Sequence, residues 1–461
     1  MPIAMVCHNN PTSDCFSDLR KALFAMTHLA EESHWFALSD GRKLYHTESI
    51  QGVVELASDY SDGGKKEGYV GIGYNSSKRG ARPSIAYCNK YGDFAVASDS
   101  YFINGGELRE KHGGDTDNDL IARYIADAND FERGIENLQN DIKGHFCAGA
   151  VTEKGDAFAA RSDLGVRSLI YGNGERGYAI LTESGGLESI GMERVRDINA
   201  AEFVDLNGSG LNTLKQNNGR MKLCSFNFPY YPFLDAVIEG IPVETVRDRI
   251  AIHSYEKDKA SGLLERLEME YGRENIIVVP IPDGGKPYAE SYAGVSGLAY
   301  REPLPKYGYA GRSYDRPKQE LRDLIAGIKL RKVPRRVAGK VVIVRDDSLR
   351  RGTQTIRSFG PIDLLKRAGA KEIHIGFCSP RNTLYCRLVP FEEDRYEDEM
   401  LAANRFPTDK SLADYLGVDS ADFIELDPFV ECIIRDSNLT RDDLCLGCYM
   451  KDPSYFDFLK K

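Results

Sequence analysis

Three stretches of the second half constrain this chain most: NIIVVPIP (275–282), KVVIVRDD (340–347) and EIHIGFCS (372–379). Each is a continuous apolar run without the alternation of a strand wetted on one face. Strands buried on both faces read this way, and they belong to parallel sheets covered by helices. Helical stretches lie between them, notably 353–368, closed by RAGAK. Strands alternating with helices give βαβ units, so a doubly wound α/β unit is predicted here.

The first half has another character. FAVAS, HFCAGAVT, DAFAARS and SLIYG are short apolar stretches broken by Gly, Asn and Asp, as in a mainly antiparallel sheet with one polar face. Helices are predicted at 16–31 and 117–128. The polar, Gly- and Asn-rich tract LNGSGLNTLKQNNGR (206–220) reads as a domain boundary. A chain of 461 residues suits two domains, here 1–220 and 221–461.

A formal net charge of -10 argues against a general nucleic-acid binder. No apolar run approaches bilayer length, and MPIAMVCHNN lacks both a basic n-region and a long apolar core. A cytoplasmic protein without a membrane partner is expected. Without a secretion signal, ten cysteines do not imply a disulfide framework. Cys7, Cys15, Cys88, Cys147, Cys378 and Cys432 are scattered and read as small buried hydrophobes. Cys445-Leu-Gly-Cys448 has the spacing of a metal, cluster or redox site, a spacing that also arises by accident.

The stretch VVIVRDDSLRRGTQT (341–355) carries the strongest chemical signal. Open α/β sheets bind ligands beyond the carboxyl ends of their strands, where Asp346 and Asp347 fall. Ser348, Arg351, Gly352, Thr353 and Thr355 follow and lead into a helix. Hydroxyls, an arginine and helix N–H groups make a phosphate cradle. Paired carboxylates suit ribose hydroxyls or a magnesium ion. The same residues also suit a plain strand-to-helix turn with an acidic cap.

This segment resembles the phosphoribosyl diphosphate (PRPP) motif of type I phosphoribosyltransferases. More of the chain is similar to one branch of them, the amidophosphoribosyltransferases. CSFNFPYYPFLDAVIEGIPV (224–243), VPIPDGGKPYAESYA (279–293), KYGYAGRSYDRP (306–317), IKL (328–330), DDSLRRGT and AGAKEIHI follow in that family's order. The first half is similar too, through ALFAMTHLAEESHWFALSDG (22–41), RSDLGVRSLIYG (161–172) and LTES (181–184). The resemblance implies an amino-terminal-nucleophile (Ntn) hydrolase-like αββα domain followed by a type I phosphoribosyltransferase domain. It implies phosphoribosyl transfer from PRPP to ammonia with release of pyrophosphate, the family's role being 5-phosphoribosylamine formation in purine biosynthesis. Asp346 and Asp347 would then hold ribose and Mg²⁺. Ser348 and the 351–355 loop would hold phosphate, and Lys306, Arg312 and Lys329 would be the basic catalytic positions. Gly308, Gly284 and Phe233 depart from the family pattern, while Arg350 and Lys286 add positive charge. Some members carry a [4Fe-4S] cluster on four cysteines, which correspond to Cys224, Cys386, Cys445 and Cys448. Purine nucleotides as further ligands and a homodimer or homotetramer are also implied.

The family's first domain is a glutaminase, and here the chemistry departs. Pro2 stands near the place of the nucleophilic cysteine and offers no side-chain nucleophile. Tyr74 replaces the arginine that grips the glutamine carboxylate. Ser98-Asp99-Ser100 replaces the oxyanion-hole segment, where a carboxylate repels developing negative charge. Asp117 keeps an acidic substrate contact. The expectation is a glutaminase fold without glutaminase chemistry, joined to a transferase that takes ammonia or another amine. Two readings stay open beside it: a catalytically silent PRPP- or nucleotide-binding regulatory paralogue, and a glutamine-dependent enzyme whose amino terminus aligns differently, for instance with Cys7 exposed by cleavage.

Overall fold

The computed structural model describes residues 1–30, 32–47, 68–76, 83–306, 330–352, 360–388 and 401–459. The first half contains β1 (Ile3–His8), β2 (Ser33–Ser39), β3 (Leu44–His46), β4 (Val70–Ser76), β5 (Ser84–Cys88), β6 (Gly92–Phe102), β7 (Gly144–Thr152), β8 (Ala157–Arg161), β9 (Ile170–Gly174), β10 (Gly177–Leu181), β11 (Glu193–Asp197), β12 (Glu202–Asn207) and β13 (Gly210–Gln216). They form two sheets, ordered β11-β9-β10-β1-β4-β2-β3 and β13-β12-β8-β7-β6-β5. Their ladders are antiparallel, as the alternating short stretches predict.

The sheets do not keep a polar face. Side chains alternate across β1: Ile3, Met5 and Cys7 enter a core shared with Ala95, Ala97 and Val151 of the second sheet. Ala4 and Val6 pack instead against Leu19 and Leu23 of the helix Phe16–Ala25. Beyond the second sheet, the helices Asp117–Ala128 and Phe131–Asp141 cover Phe94, Val96 and Phe146. The result is an αββα sandwich whose central strands are covered on both faces, so β1, β2, β4 and β7 are buried throughout, while the edge strands β5, β11 and β13 keep exposed residues. Helix Asp117–Ala128 begins as predicted, because Thr116 and Asp119 close a capping box. The helix predicted over 16–31 stops at Ala25.

The second half adds β14 (Leu223–Cys224), β15 (Val237–Ile238), β16 (Ile241–Pro242), β17 (Ile276–Pro280), β18 (Ala299–Tyr300), β19 (Val341–Asp346), β20 (Glu372–Phe377), β21 (Ser420–Phe423) and β22 (Leu444–Cys445). Five of these make a parallel sheet ordered β18-β17-β19-β20-β21. Alternate residues serve opposite faces. Ile276, Val278, Val341 and Ile343 meet the helices Val243–Ala260 and Lys286–Ser296. Ile277, Val279, Val342 and Val344 meet Pro361–Arg367 and Asp409–Leu416. This is the doubly wound unit that the continuous apolar runs predict. Of the helix expected over 353–368, residues 353–359 lie outside the described residues and Pro361–Arg367 is helical.

The 206–220 tract is not a loose linker. Its first part pairs as the β12–β13 hairpin, through Asp205 with Asn212 and Asn207 with Gly210. The remainder is bonded to the first half, where Arg220 N–H donates to Asp163 O (2.8 Å) and Lys222 N–H to Leu164 O (2.6 Å). A two-residue turn between polar strand residues has the composition of a linker, which is why the two read alike. Among the described residues, no helix is long and apolar enough to cross a membrane.

Candidate functional site

The sequence order of the parallel strands reverses between β17 and β19, which pair from Ile276–Val341 to Pro280–Arg345. Such a switch point opens a crevice at the carboxyl ends of the two strands. Two loops border it, 281–285 after β17 and 347–352 after β19. Asp346 ends β19, and its carboxylate accepts the Asp347 N–H (3.0 Å), while Asp347 accepts from the Ser348 hydroxyl (2.6 Å). Burial and the adjacent Asp347 hold the Asp346 carboxyl well above the usual range. Burial lifts Asp347 to about 6, opposed by the Ser348 hydrogen bond and by Arg247. Arg247 is itself buried, donating to Phe228 O and Pro232 O (both 2.9 Å).

The facing loop fits closely around these carboxylates. A Cβ on Gly284 would lie 1.7 Å from Asp347 Oδ2, so a side chain there and this carboxylate position exclude each other. A Cβ on Gly285 would lie 2.2 Å from the Arg345 carbonyl oxygen. The bare backbone of Gly284-Gly285 is thus what lets the two loops close on one another. Asp283 pairs with Lys306, and Lys286 sits 3.6 Å from Asp283 and 3.2 Å from Glu302. Lysines and carboxylates therefore alternate along the crevice wall.

The crevice gathers Asp346, Asp347 and Ser348, with Lys306 on its wall. It does not gather every residue expected there. Arg351 Nε donates to the Tyr385 hydroxyl (3.0 Å), and the Arg350 guanidinium lies over the Tyr385 ring (5.3 Å). Gly352 takes a left-handed φ of 77° at the end of the loop. Arg312, Lys329, Thr353 and Thr355 lie outside the described residues. Beneath β19 sits a feature the sequence did not reveal: Arg345 is buried against Asp258 and stacks on Tyr292 (4.2 Å to the ring centroid).

A second constellation surrounds the start of β1. Asn75 N–H donates to Pro2 O (3.0 Å), and Ile3 pairs with Tyr74 across the β1–β4 ladder. Tyr74 is buried, and its hydroxyl lies on the Met1 thioether (2.8 Å). The Met1 ammonium lies 2.7 Å from Asp99 Oδ1, and Arg167 Nε lies 3.7 Å from Asp99 Oδ2. Burial would raise the Asp99 carboxyl, but the ammonium and Arg167 outweigh it and hold it below the usual range. Ser100 and Ser98 share a hydroxyl hydrogen bond (2.8 Å). Asp117 is held by Arg109 (2.8 Å), yet burial keeps its carboxyl raised. His145, which sequence reading passed over, lies near Asp99 and is driven by burial down to about 4. Its Nε2 meets Leu388 O of the second half (2.9 Å). Pro2, Asp99, Arg167, Glu183, Asn227 and Tyr231 line a cavity of about 60 Å³ between the halves. That is room for roughly two waters.

The four cysteines converge through the fold. Cys224 and Cys445 are partners in the parallel β14–β22 bridge. Thr383 and Leu384 N–H both donate to Cys448 O (2.9 and 3.2 Å), which brings Cys386 alongside. An apolar chamber of Leu164, Val166, Leu384, Leu388 and Phe456 surrounds Cys224, Cys386 and Cys445, while Cys448 packs beside Cys224 against the core of the second half. Cys445 and Cys448 each feel the charge of Cys224 and Cys386. Burial pushes Cys224 up to about 11 and raises Cys445 and Cys448 further. All four are free thiols. Among the described residues no three His, Cys, Asp or Glu side chains close tightly enough to hold a single metal ion. Four thiols brought together from distant parts of the chain are the kind of donor set that an iron-sulfur cluster takes. The six remaining cysteines are buried, as expected.

No protein-family model matches the chain. The amidophosphoribosyltransferase of Methanocaldococcus jannaschii is 27% identical over 472 residues, covering 95% of this chain and 94% of that one. That of Methanothermobacter thermautotrophicus is 27% identical, covering 94% and 90%. That of Mycobacterium leprae is 26% identical, covering 93% and 77%. The solved glutamine PRPP amidotransferase of B. subtilis, complexed with ADP and GMP, has the same fold at a TM-score of 0.81, with 24% identity over 98% of this chain and 96% of that one. Along nearly its whole length the chain is similar to these amidophosphoribosyltransferases, and it has the fold of the solved PRPP amidotransferase.

Proposed function

We propose that this protein is a PRPP-dependent transferase. It replaces the pyrophosphate of PRPP with ammonia or another amine, the reaction by which its relatives are named. The observation that carries this reading is the Asp346–Asp347 pair at the switch point, closed over by Gly284-Gly285 and flanked by Lys306 and Lys286. Two half-buried, mutually repelling carboxylates leave a local need for positive charge, or for hydroxyls that donate hydrogen bonds. Ribose hydroxyls supply the donors, and positive charge grows on the ribose ring as the anomeric bond to pyrophosphate breaks. Asp346 and Asp347 would stabilise that charge, Lys306 would meet the departing pyrophosphate, and Ser348 with the 351–355 loop would hold the 5-phosphate. Magnesium, when bound at these carboxylates, would neutralise diphosphate charge. Purine nucleotides, with the same ribose and phosphate groups, are suited to the same crevice. The division of labour is proposed to fall at residues 220 and 221.

The nitrogen is proposed to come from solution rather than from glutamine. Asp99 places a paired negative charge where an amide oxyanion would develop, and an oxyanion hole lacking one donor already costs about 10²–10³ in kcat. Tyr74 offers no cation to a carboxylate, and Pro2 offers no thiol. The four converging cysteines are proposed to hold a [4Fe-4S] cluster that ties the tail near Cys445 to β14.

Pyrophosphate release from PRPP and Mg²⁺, measured side by side with ammonium and with glutamine, tests both parts. Turnover with ammonium and none with glutamine is expected. Glutamine-driven turnover would overturn the ammonia reading. Silence with ammonium and with a panel of amines would overturn the transferase, and calorimetric PRPP binding without turnover would favour a regulatory paralogue.

A further inference from the structure

Where Cys224 and Cys448 pack against the core of the second half lies a hydroxyl that is unmatched among the described residues. Tyr449 follows Cys448 directly and is only 7% exposed. Its ring is fixed from two sides, edge-on to Phe429 (5.4 Å between centroids) and tilted on Phe226 (6.5 Å). Among the described residues its Oη has no hydrogen-bond partner of acceptable geometry. Cys448 and Cys224 act on it electrostatically, and Cys448 and the Ser225 hydroxyl lie within its reach, without the geometry of a made hydrogen bond. Ser225 gives its own proton to Cys445 O (2.7 Å), so towards Tyr449 it can act only as an acceptor. A second tyrosine packed there, Tyr455, is spent, accepting from Leu446 N–H (2.9 Å) and donating to Leu444 O (3.2 Å).

A buried hydroxyl without a partner is costly, and phenylalanine would fill the same space without that cost. The hydroxyl has a use if a strong sulfur acceptor lies beside it. Neutral thiols are poor acceptors, whereas thiolates ligating iron carry the negative charge that an O–H seeks. Hydrogen bonds to the sulfurs are among the few levers by which a protein sets a cluster's potential.

We propose that the Tyr449 hydroxyl donates a hydrogen bond to a cysteinyl sulfur of the cluster, that of Cys448 or Cys224, and thereby stabilises its reduced form and its hold on iron. The inference rests on the cluster reading above. It assigns Tyr449 as a positioning residue for the cofactor, with no contact to PRPP.

The test compares wild type with Tyr449→Phe, both isolated anaerobically and reconstituted with iron and sulfide. Phenylalanine keeps both ring contacts, so the iron-free variant should melt at the same temperature as wild type or higher. The loaded variant should have a lower midpoint potential in a dye-mediated titration with dithionite. It should also lose iron to a chelator roughly tenfold faster, at the low end for outer partners of metal ligands. Failure of the variant alone to load, with its iron-free melting curve intact, supports the assignment as well. Equal potentials and equal iron loss in the two proteins would overturn it, as would a lowered melting temperature of the iron-free variant, which would mark the hydroxyl as structural. If wild type itself takes up no iron, the cluster reading falls and this inference falls with it. Equal behaviour of two loaded proteins removes only the role of Tyr449.

Discussion

At the scale of single residues, the crevice trades stability for binding. Asp347 is raised to about 6, chiefly by burial. An acid held above its unfolded pKa binds its proton more tightly when folded. Its contribution to stability is therefore full below the unfolded value and is lost as pH rises through about 6. Asp347→Asn should raise the melting temperature of the ligand-free protein at pH 8, with the gain shrinking to nothing near pH 4. The same variant should lose PRPP turnover. Calorimetric melting across that pH range checks the first part, and an equal gain at both ends would rule out the electrostatic cause. Gly284 belongs to the same argument. Serine placed there would put its Cβ into the Asp347 carboxylate, so Gly284→Ser should weaken PRPP binding rather than restore a family trait.

At the scale of elements, glycines one helix apart should behave oppositely. Gly285 sits where the loop after β17 crosses the end of β19, and its Cβ would meet the carbonyl of Arg345 and the backbone of Ile281. Gly285→Ala should cost about 1–3 kcal/mol in denaturant titrations, the range for overpacking against atoms that cannot yield. Gly294 lies in the following helix, Lys286–Ser296, with open space where its Cβ would be. Gly294→Ala should stabilise by up to about 1 kcal/mol through helix propensity. The apolar strands of both halves and the helix Asp117–Ala128 were legible because hydrophobic period is a local signal. The β12–β13 hairpin was not, because its outer strand is polar and its turn shares its composition with linkers. The early stop of the first helix at Ala25 carries no local signal of comparable strength.

At the scale of the molecule, the halves are joined by buried charge. Arg161 of β8 is fully buried and donates to Ile198 O (2.7 Å), Gly165 O (2.7 Å) and Glu239 of the second half (2.5 Å). Removing one partner of such a pair typically costs about 3–5 kcal/mol. Arg161→Met should destabilise by that order and separate the thermal unfolding into two transitions, whereas a single unbroken transition at the wild-type temperature would count against this contact. By itself the sequence determined the doubly wound half, the antiparallel strands of the first half and the Asp346–Asp347 pair at a strand end, since period and composition are written locally along the chain, while the αββα layering and the four cysteines as a set came only through resemblance in motif order. Only the tertiary structure decided that Gly284 presses against the Asp347 carboxylate and Gly285 against the Arg345 carbonyl, that Arg351 donates to Tyr385, that Asp99 is held by Arg167 and an ammonium, and that among the described residues the Tyr449 hydroxyl beside the cysteines has no hydrogen-bond partner. Those are contacts between residues far apart in the chain, and distance in space between such residues is set by packing rather than by any local pattern.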